Sequence, residues 1–491
     1  MRSYGRLSGK IHANGRKILE SNGVKLYALL PVEKVQQAVK DQKVQFRDCL
    51  FTPLVTLWTF LAQVLDPDGS CRAAVAKLLA FLAATDVAGD AKTSGVQQAE
   101  ASSRTLDPST GPYCKARKRL PEGLVSHLAR DTGEQLHRRY PSSRLLGGRK
   151  VKVVDGTLVS MPDTKQNQKT WPQPPTQKPG LGFPLVRLVA VMSLNCAAIL
   201  AVAFGPYGGA QTGETALLRD LLVSLEAGLE SGDVLLADRY YASYWMIALL
   251  KARGIDSLFR QHQHRKIDFR RGQRLGKDDH LITIPRPKQR PEWMDQAAYE
   301  QLPEQMLLRE VRVRVCQRGF RVRSLVLVTT LLDAALYSRE ELAKAFRLRW
   351  HVELDLRSIK QTMKMSVLRC KTPAMVRKEV WMRLLAYNLI RALMAEAAER
   401  QGIEPREISF AGAAQTINAF APALQLAKEG DLPQLWEILL SSIARHRVGD
   451  RPDRYEPRAV KRRAKPIALL TVPRKEARKR LAKSGASKSK T

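Results

Sequence analysis

Residues 346–360 read FRLRWHVELDLRSIK, and this segment decides how the rest of the chain is interpreted. Neither Gly nor Pro occurs between Leu342 and Met363, and strong helix formers dominate, so the pattern predicts a single helix. Steps of three and four residues place one set of side chains on a common helix face: Phe346, Arg349, Glu353, Arg357 and Lys360. That face is either a solvated, salt-bridged surface or a metal-binding carboxylate flanked by phosphate-binding cations. The choice depends on whether other carboxylates of the chain can meet Glu353.

The charge of the chain favours a polyanionic partner. Its 491 residues include 82 Lys and Arg against 47 Asp and Glu, which gives a net charge of +35. Neutralising phosphates with such a surface releases condensed counterions, so nucleic acid is the leading partner. An anionic membrane surface also fits the charge alone. Hydrophobic residues make up 44% of the chain, a share typical of globular proteins with sizeable cores.

Several classes of protein are disfavoured by missing patterns. The six cysteines are widely spaced with no C-x-x-C pair, which argues against a zinc ribbon and against a disulfide framework. Neither H-E-x-x-H nor the P-loop pattern G-x-x-x-x-G-K-[ST] occurs, so zinc hydrolysis and ATP use are not indicated. No signal peptide is expected at the start. The apolar runs 49–65 and 188–204 are short and interrupted by polar residues, so no membrane span is predicted.

The N-terminal region has a helical pattern. Apolar segments at 53–64 and 70–84 have helix-like composition, and Asp68-Gly-Ser70 is typical of a turn followed by an N-cap. Residues 86–112 are rich in Gly, Ser, Thr and Ala, which indicates a loop. A basic helical segment follows at 113–136. The region is therefore predicted to be helical and to face DNA.

After Gly148 the pattern changes to that of a mixed α/β sheet. Short apolar or alternating runs predict five strands: Lys150–Asp155, Leu185–Val191, Ala197–Phe204, Val234–Asp238 and Ile255–Phe259. Helical patterns at 214–229 and 244–253 lie between the later strands. The order strand, strand, strand, helix, strand, helix, strand predicts an α/β fold.

Residues 260–335 interrupt this alternation of strands and helices. They contain a basic run, a Pro-rich stretch and strand-like segments at 311–315 and 322–330, so a β-rich insertion is predicted. The α/β pattern then resumes and continues through 376–397. Residues 445–491 hold 17 Lys and Arg against 4 Asp and Glu, which predicts an irregular basic tail. The predicted organisation is a helical DNA-binding domain (1–145), a first core part (146–259), the insertion (260–335), a second core part (336–400) and a helical region with the tail (401–491).

Two acids occupy positions where sites commonly form. Asp155 and Asp238 each end a short hydrophobic strand, at the rim of the predicted sheet. Either acid alone could simply be the first polar residue of a loop. Together with Glu353 in a basic protein, they could hold Mg²⁺, which prefers oxygen ligands and keeps water and substrate phosphates in its shell. Two such ions can support in-line displacement at phosphorus.

These motifs resemble those of DDE transposases from bacterial insertion sequences. The residues concerned are Asp155-Gly-Thr, Leu236-Ala-Asp238-Arg-Tyr and the helix containing Glu353. The closest likeness is to insertion-sequence family four, whose third acid lies in the signature Tyr-x2-Arg-x3-Glu-x6-Lys. Arg349, Glu353 and Lys360 match that spacing, whereas Phe346 stands at the Tyr position and lacks its hydroxyl.

The resemblance implies a ribonuclease-H-like core interrupted by the β-rich insertion, and cut-and-paste transposition of DNA. It implies that Asp155, Asp238 and Glu353 are the catalytic, metal-binding residues for two Mg²⁺ or Mn²⁺ ions. The expected partners are the element's terminal inverted repeats and target DNA, bound by a homodimer in the bacterial cytoplasm and at the nucleoid. The residues expected to contact DNA are Arg349, Lys360, Arg357, Arg239 and Trp293. For Trp293, stacking on a flipped base and a packing role are both open.

Helix geometry and charge leave further alternatives. His351 and Asp355 lie two residues from Glu353, about 200° around a helix, so neither is expected to share its role. The basic composition fits a regulatory or inactive DNA-binding relative equally well, because charge provides affinity without base recognition. A ribonuclease-H-like nuclease that cuts without joining is a third possibility.

Overall fold

A computed structural model describes residues 30–46, 49–90, 108–140, 145–224, 226–314, 324–449 and 468–483. Its helices are α1 (Val32–Asp41), α2 (Pro53–Leu65), α3 (Cys71–Asp90), α4 (Gly111–Arg119), α5 (Glu122–Arg139), α6 (Lys165–Thr170), α7 (Glu214–Val223), α8 (Tyr244–Lys251), α9 (Gln296–Glu300), α10 (Arg339–Leu348), α11 (His351–Gln361), α12 (Pro373–Arg400), α13 (Phe410–Leu426), α14 (Leu432–Arg445) and α15 (Arg474–Lys483). The strands are β1 (Val151–Ser160), β2 (Leu185–Ser193), β3 (Ile199–Pro206), β4 (Val234–Ala237), β5 (Asp256–Arg260), β6 (Gln273–Gly276), β7 (Asp279–Pro285), β8 (Gln305–Arg314) and β9 (Ser324–Thr329).

The strands form one mixed sheet in the order β3-β2-β1-β4-β5-β9-β8-β7-β6. β1, β2 and β3 pair antiparallel as consecutive neighbours, whereas β4 and β5 run parallel to β1. The insertion strands continue the same sheet, because β9 pairs antiparallel with β5. The predicted α/β class is confirmed, with a ribonuclease-H-like mixed sheet extended by a β-rich insertion.

Both faces of the central strands are buried, which explains why their sequences are apolar throughout. In β4, Val234 and Leu236 pack into one hydrophobic cluster, while Leu235 and Ala237 pack into another on the opposite face. This alternation follows the two-residue period of a strand. The first cluster includes α12 and N-terminal helices, and the second includes α7 and α8.

The helix α12 is 28 residues long and runs through the first cluster. Asn388 in this helix is fully buried and is hydrogen-bonded to two other elements. Its side chain accepts from the N–H of Ile199 in β3 and donates to the carbonyls of Ile199 and of Ala129 in α5, each at 2.9 Å. Gly133 of α5 lies where a Cβ atom would be 2.1 Å from the Ile199 carbonyl oxygen. α5 therefore packs tightly on the sheet edge and on α12.

The prediction of a single helix around Glu353 is wrong, because the segment divides into α10 and α11. At the junction, the N–H groups of Arg349, Val352 and Glu353 bond to carbonyls three residues back instead of four. This tighter pattern is the 3₁₀ type and shifts the register of the faces. Phe346 therefore belongs to a different helix from Glu353.

Other element boundaries also differ from the prediction. β1 extends to Ser160, so Asp155 lies within the strand and not at its end. The predicted loop at 86–112 is helical up to Asp90 and again from Gly111, and the basic tail contains α15. The remainder of that loop (91–107) and most of the tail (450–467 and 484–491) lie outside the described residues.

Within the described ranges, no helix combines the length and apolar composition needed to cross a membrane.

Candidate active site

The register of two parallel strands brings Asp155 and Asp238 to the same place. β1 pairs with β4 through Val151–Val153 and Val234–Leu236, after which β4 ends at Ala237. Continuing the last pair, Val153 with Leu236, by two residues sets Asp155 beside Asp238. Neighbouring strands are about 4.8 Å apart, so the two carboxylates share one edge of the sheet. The register thus places the two acids on neighbouring strands at the level where β4 ends.

Glu353 reaches the same edge from the first turn of α11, which packs against β1. Arg349 links the acids: its guanidinium nitrogens lie 3.8 Å from an Asp155 oxygen and 3.5 Å from a Glu353 oxygen. The Arg349 side chain is only 13% exposed, so solvent screens these charges weakly. Its Nε is buried without a partner among the described residues. One cation therefore serves two carboxylates and retains an unused donor.

The surroundings of these carboxylates disfavour negative charge, because the groups are partly buried and close to one another. Burial raises the pKa of Asp155, and the charge of Asp238 adds to this, while the Gly156 N–H and Arg349 oppose it. Burial likewise raises the pKa of Glu353, with Asp155 and Asp238 contributing and Arg349 opposing. Desolvation and like-charge repulsion of this kind are relieved when a cation binds.

A fourth carboxylate, Glu214 at the start of α7, was not predicted. Burial and the charges of Asp155 and Asp238 raise its pKa, while Arg187 opposes the rise. Tyr241 is 1% exposed, and its hydroxyl lies 3.5 Å from Glu214 Oε2. In the sequence, an acid just after Gly213 reads as an ordinary helix start, because Asp and Glu are favoured in a first helical turn. Nothing in the sequence pattern distinguishes it.

The predicted DNA-contacting cations lie on and around this edge. Arg239 follows Asp238 directly, donates to Gln263 Oε1 at 2.7 Å and has a buried Nε without a partner among the described residues. Lys360 is half-buried in the last turn of α11 and makes no ion pair within the described part of the chain. Arg357 is exposed and donates to Gln361. Within the described ranges, no carboxylate pairs with Arg239, Lys360 or Arg357, which leaves these cations able to bind phosphate.

Trp293 lies in the packing between the insertion and the core. Its ring is half-buried against the hydrophobic cluster of α7 and α8, and the Arg219 guanidinium stacks over it at 4.1 Å. This position supports the packing alternative and leaves its role toward DNA a prediction.

Three residues near Glu353 in the sequence pack against other parts of the fold. Asp355 is 2% exposed and forms ion pairs with Arg391 at 2.6 Å and Arg406 at 3.0 Å. His351 is half-buried, and burial lowers its pKa. Phe346 is buried in the core, with the Arg349 guanidinium 5.6 Å from its ring centroid. Phe346 therefore supports Arg349 by packing.

The residues present fit a hard divalent cation by the chemistry of their donors, since all are carboxylate oxygens. Among the described residues, however, no three His, Cys, Asp or Glu side chains are arranged as a ready metal-binding group. Mg²⁺ does not require one, because it typically binds through one or two carboxylates and completes its shell with water and substrate phosphates. Asp155 and Asp238 supply such a pair, with Glu353 close by.

Comparisons with a family model and with a curated protein identify the relatives of this chain. A family model described as the transposase DDE domain matches residues 146–389, which include Asp155, Asp238 and Glu353. The chain is 30% identical over 374 residues to the transposase InsG for insertion sequence element IS4 of Escherichia coli strain K12, covering 74% of this chain and 78% of that protein. A cryo-EM structure of piggyBac transposase in a synaptic complex with hairpin DNA is similar over 90% of this chain and 86% of that one. Its TM-score of 0.39 and identity of 9% are too low to establish a common fold.

Proposed function

The chain belongs to the DDE transposases of IS4-family insertion sequences, and we propose that it moves its element by cut-and-paste transposition. In this proposal it cleaves DNA at the element's ends and joins the freed 3′-OH groups to target DNA. The observation that carries the proposal is the meeting of Asp155 and Asp238 through the β1–β4 register, with Glu353 tied to Asp155 by Arg349.

We assign Asp155, Asp238 and Glu353 to the binding of two Mg²⁺ or Mn²⁺ ions, the class of metal that DDE transposases generally use. Bound there, such ions would activate a water or 3′-OH nucleophile and stabilise the leaving oxygen at phosphorus. The protein's own contribution is to hold its carboxylates on rigid elements: Asp155 within β1, Asp238 directly after β4 and Glu353 on a packed helix.

The cations would bind the DNA backbone at the scissile position. Arg349 can exchange a carboxylate for a phosphate oxygen, because both accept a guanidinium fork and its Nε is unused. Lys360 and Arg239 lack carboxylate partners among the described residues and would hold phosphates on either side, with Arg357 further out. These contacts fix the register of the DNA without reading its sequence.

The proposed partners are the element's terminal inverted repeats and target DNA, bound in the bacterial cytoplasm. Two copies of the chain would hold the two ends, because each copy provides one set of site residues. The net charge of +35 supports a DNA partner, and its affinity should fall steeply with salt.

The proposal is tested with purified full-length protein and duplexes copied from the DNA that flanks its gene. Asp155→Asn, Asp238→Asn and Glu353→Gln should each reduce Mg²⁺-dependent cleavage by more than about a hundredfold, because each removes the negative charge of a proposed metal ligand. DNA binding in a gel-shift assay should persist. Glu340→Gln is the matched control, since Glu340 is exposed on the neighbouring helix α10.

Three results separate the alternatives. Joined products with wild-type protein support transposition, whereas nicks without joining indicate a nuclease that lacks strand transfer. Salt-sensitive binding with no cleavage in any divalent metal indicates a regulatory or inactive DNA-binding relative. Cleavage at the wild-type rate by a variant lacking all three acids would refute the assigned site.

A further inference from the structure

Two cysteines of the N-terminal helices lie side by side at a cavity. Cys71 begins α3 and Cys114 lies in α4, and their sulfur atoms are 3.8 Å apart. Both residues are partly buried, and both line an open cavity of about 470 Å³. The sulfurs of a disulfide are about 2.05 Å apart, so a small rotation of the two side chains would bring them to bonding distance. The pair is therefore placed to link the two helices covalently.

A buried arginine contacts the first of these thiols. Arg117 of α4 is 8% exposed and donates to Cys71 Sγ at 3.1 Å. Its other terminal nitrogen donates to Gln63 at 3.0 Å, which fixes the position of the guanidinium. The thiolate is the form of cysteine that attacks a disulfide, and a neighbouring cation stabilises it. Burial raises the pKa of Cys71 while Arg117 opposes the rise, so we expect a slower attack than from an exposed thiol.

A third thiol at the cavity is less suited to such a reaction. Cys370 also lines the cavity, but its side chain is buried. Burial and the charge of Glu379 raise its pKa, because Glu379 accepts from the Cys370 N–H at 3.0 Å and lies beside the thiol. A buried thiol that stays protonated is unreactive. The geometry therefore favours the pair Cys71 and Cys114.

The charges around the cavity favour an anionic ligand. Its lining includes three exposed cations, Lys118, Arg369 and Lys371. Among the described lining residues Glu379 is the one carboxylate, and it is 3% exposed and pairs with Arg383 at 3.0 Å. The exposed charge of the lining is therefore positive. A cleft lined by one sign of charge raises the local concentration of ligands of the opposite sign.

We propose that Cys71 and Cys114 are a redox-active thiol pair that reacts with an anionic low-molecular-weight disulfide, of the oxidised glutathione class, in this cavity. The Cys71 thiolate attacks one sulfur of the reagent, forms a mixed disulfide and releases the first reagent thiolate. Deprotonated Cys114 then attacks Cys71 Sγ and expels the second, so that a disulfide joins α3 to α4. The two cysteines are oxidised, the reagent is reduced to two thiols, and these take up the two protons. In a reducing compartment such a bond is transient.

The test incubates the reduced full-length protein with oxidised glutathione at about pH 8, near the pKa of an ordinary thiol. Peptide mapping by mass spectrometry should find Cys71 joined to Cys114, and dithiothreitol should separate them. Cys114→Ser should stop at a mixed disulfide between Cys71 and glutathione, because the second attack is removed. Cys49→Ser removes an exposed thiol outside the cavity lining and should still give the linked peptides.

Cystamine, a disulfide with positively charged ends, tests the class of ligand. At low ionic strength the linked pair should form about tenfold faster with oxidised glutathione than with cystamine, and salt should reduce this advantage by screening the lining charges. Lys371→Gln should also reduce the advantage, because it removes one cation of the lining. Lys115→Gln is the matched control, since Lys115 is exposed on α4 and lines a different cavity.

Three results would overturn the inference. The first is that Cys71 and Cys114 stay reduced in the wild-type protein while Cys49 takes up glutathione. The second is a cross-link from either cysteine to Cys370, which would show that the pairing is wrong. The third is an equal rate with both reagents, which would exclude the anionic class of ligand. The decisive mapping uses the wild-type protein, so it does not depend on the folding of a variant, and it is independent of the cleavage assays that test the proposed function.

Discussion

At the scale of single residues, the helix α11 separates two acids that look equivalent in sequence. Glu353 is 40% exposed and shares Arg349 with Asp155, so its charge is available to a ligand. The Asp355 carboxylate is buried in the core and forms ion pairs with Arg391 and Arg406. Removing one partner of such a buried network typically costs about 3–5 kcal/mol, so Asp355 is a determinant of stability. Their difference follows from the roughly 200° between them around the helix.

A buried histidine should make the protein sensitive to mild acid. His137 of α5 is 4% exposed, with Nδ1 2.9 Å from Ser193 Oγ, and burial with the nearby Lys152 and Lys150 lowers its pKa to about 4. In the unfolded chain its pKa is about 6.5, so between these values the unfolded state binds more protons. The free energy of unfolding should therefore be highest above pH 6.5 and fall by up to about 3 kcal/mol as the pH approaches 4.

This pH dependence can be assigned by comparing variants in urea unfolding at pH 7.0, 6.0 and 5.0. His137→Gln should lose less stability than the wild type over this interval, because glutamine does not titrate. His127→Gln, at an exposed position of the same helix, should behave as the wild type. Equal losses in the wild type and in His137→Gln would assign the effect to other groups.

At the scale of elements, most strands and helices could be predicted, and the errors have physical causes. The apolar runs of β2, β3 and β4 identified buried strands because both sheet faces are covered. The division between α10 and α11 could not be seen, since helix propensity is continuous across Arg349 and Trp350 and the break is set by packing. Asp155 was predicted to end its strand, but β1 continues beyond it through pairing with β2, a long-range contact that a local pattern does not encode.

Among the elements, Asn388 of α12 joins this helix to α5 and β3 by hydrogen bonds. Asn388→Ala should lower the free energy of unfolding by about 3 kcal/mol, because it removes three buried hydrogen bonds and leaves the polar groups of Ile199 and Ala129 unpaired. Chemical denaturation monitored by circular dichroism measures the change. Asn418→Ala is a suitable comparison, since the Asn418 side chain makes one hydrogen bond to the described part of the chain, at the Leu65 carbonyl. A loss no larger than that of Asn418→Ala would show that the three bonds contribute little.

At the scale of the whole molecule, the N-terminal helices and the catalytic core share one hydrophobic cluster. It extends from Leu30 and Trp58 through β1 and β4 to α12 and α14. The boundaries predicted at 145 and 260 remain predictions, and sequence patterns locate them through changes in periodicity alone. Packing between distant segments is invisible to such patterns.

The shared cluster predicts that α5 and α12 unfold together. Hydrogen exchange followed by mass spectrometry should give their slowest amides the same free energy of opening, because separating the helices would expose the apolar faces of both. The exposed insertion strand β6 should open at a lower free energy. An opening free energy for α5 several kcal/mol below that of α12 would instead identify the N-terminal region as an independently unfolding unit.

The continuous sheet also determines the distance between its outermost strands and their relative rotation. Nine strands spaced about 4.8 Å apart span about 38 Å, comparable to eleven base pairs of duplex DNA at about 3.4 Å each. With a twist of about 20° between neighbours, the outermost insertion strand is turned by about half a revolution relative to β3. The core and the insertion thus present their surfaces in different directions. We therefore expect a straight duplex to run along one of these surfaces and to need a bend to reach the other.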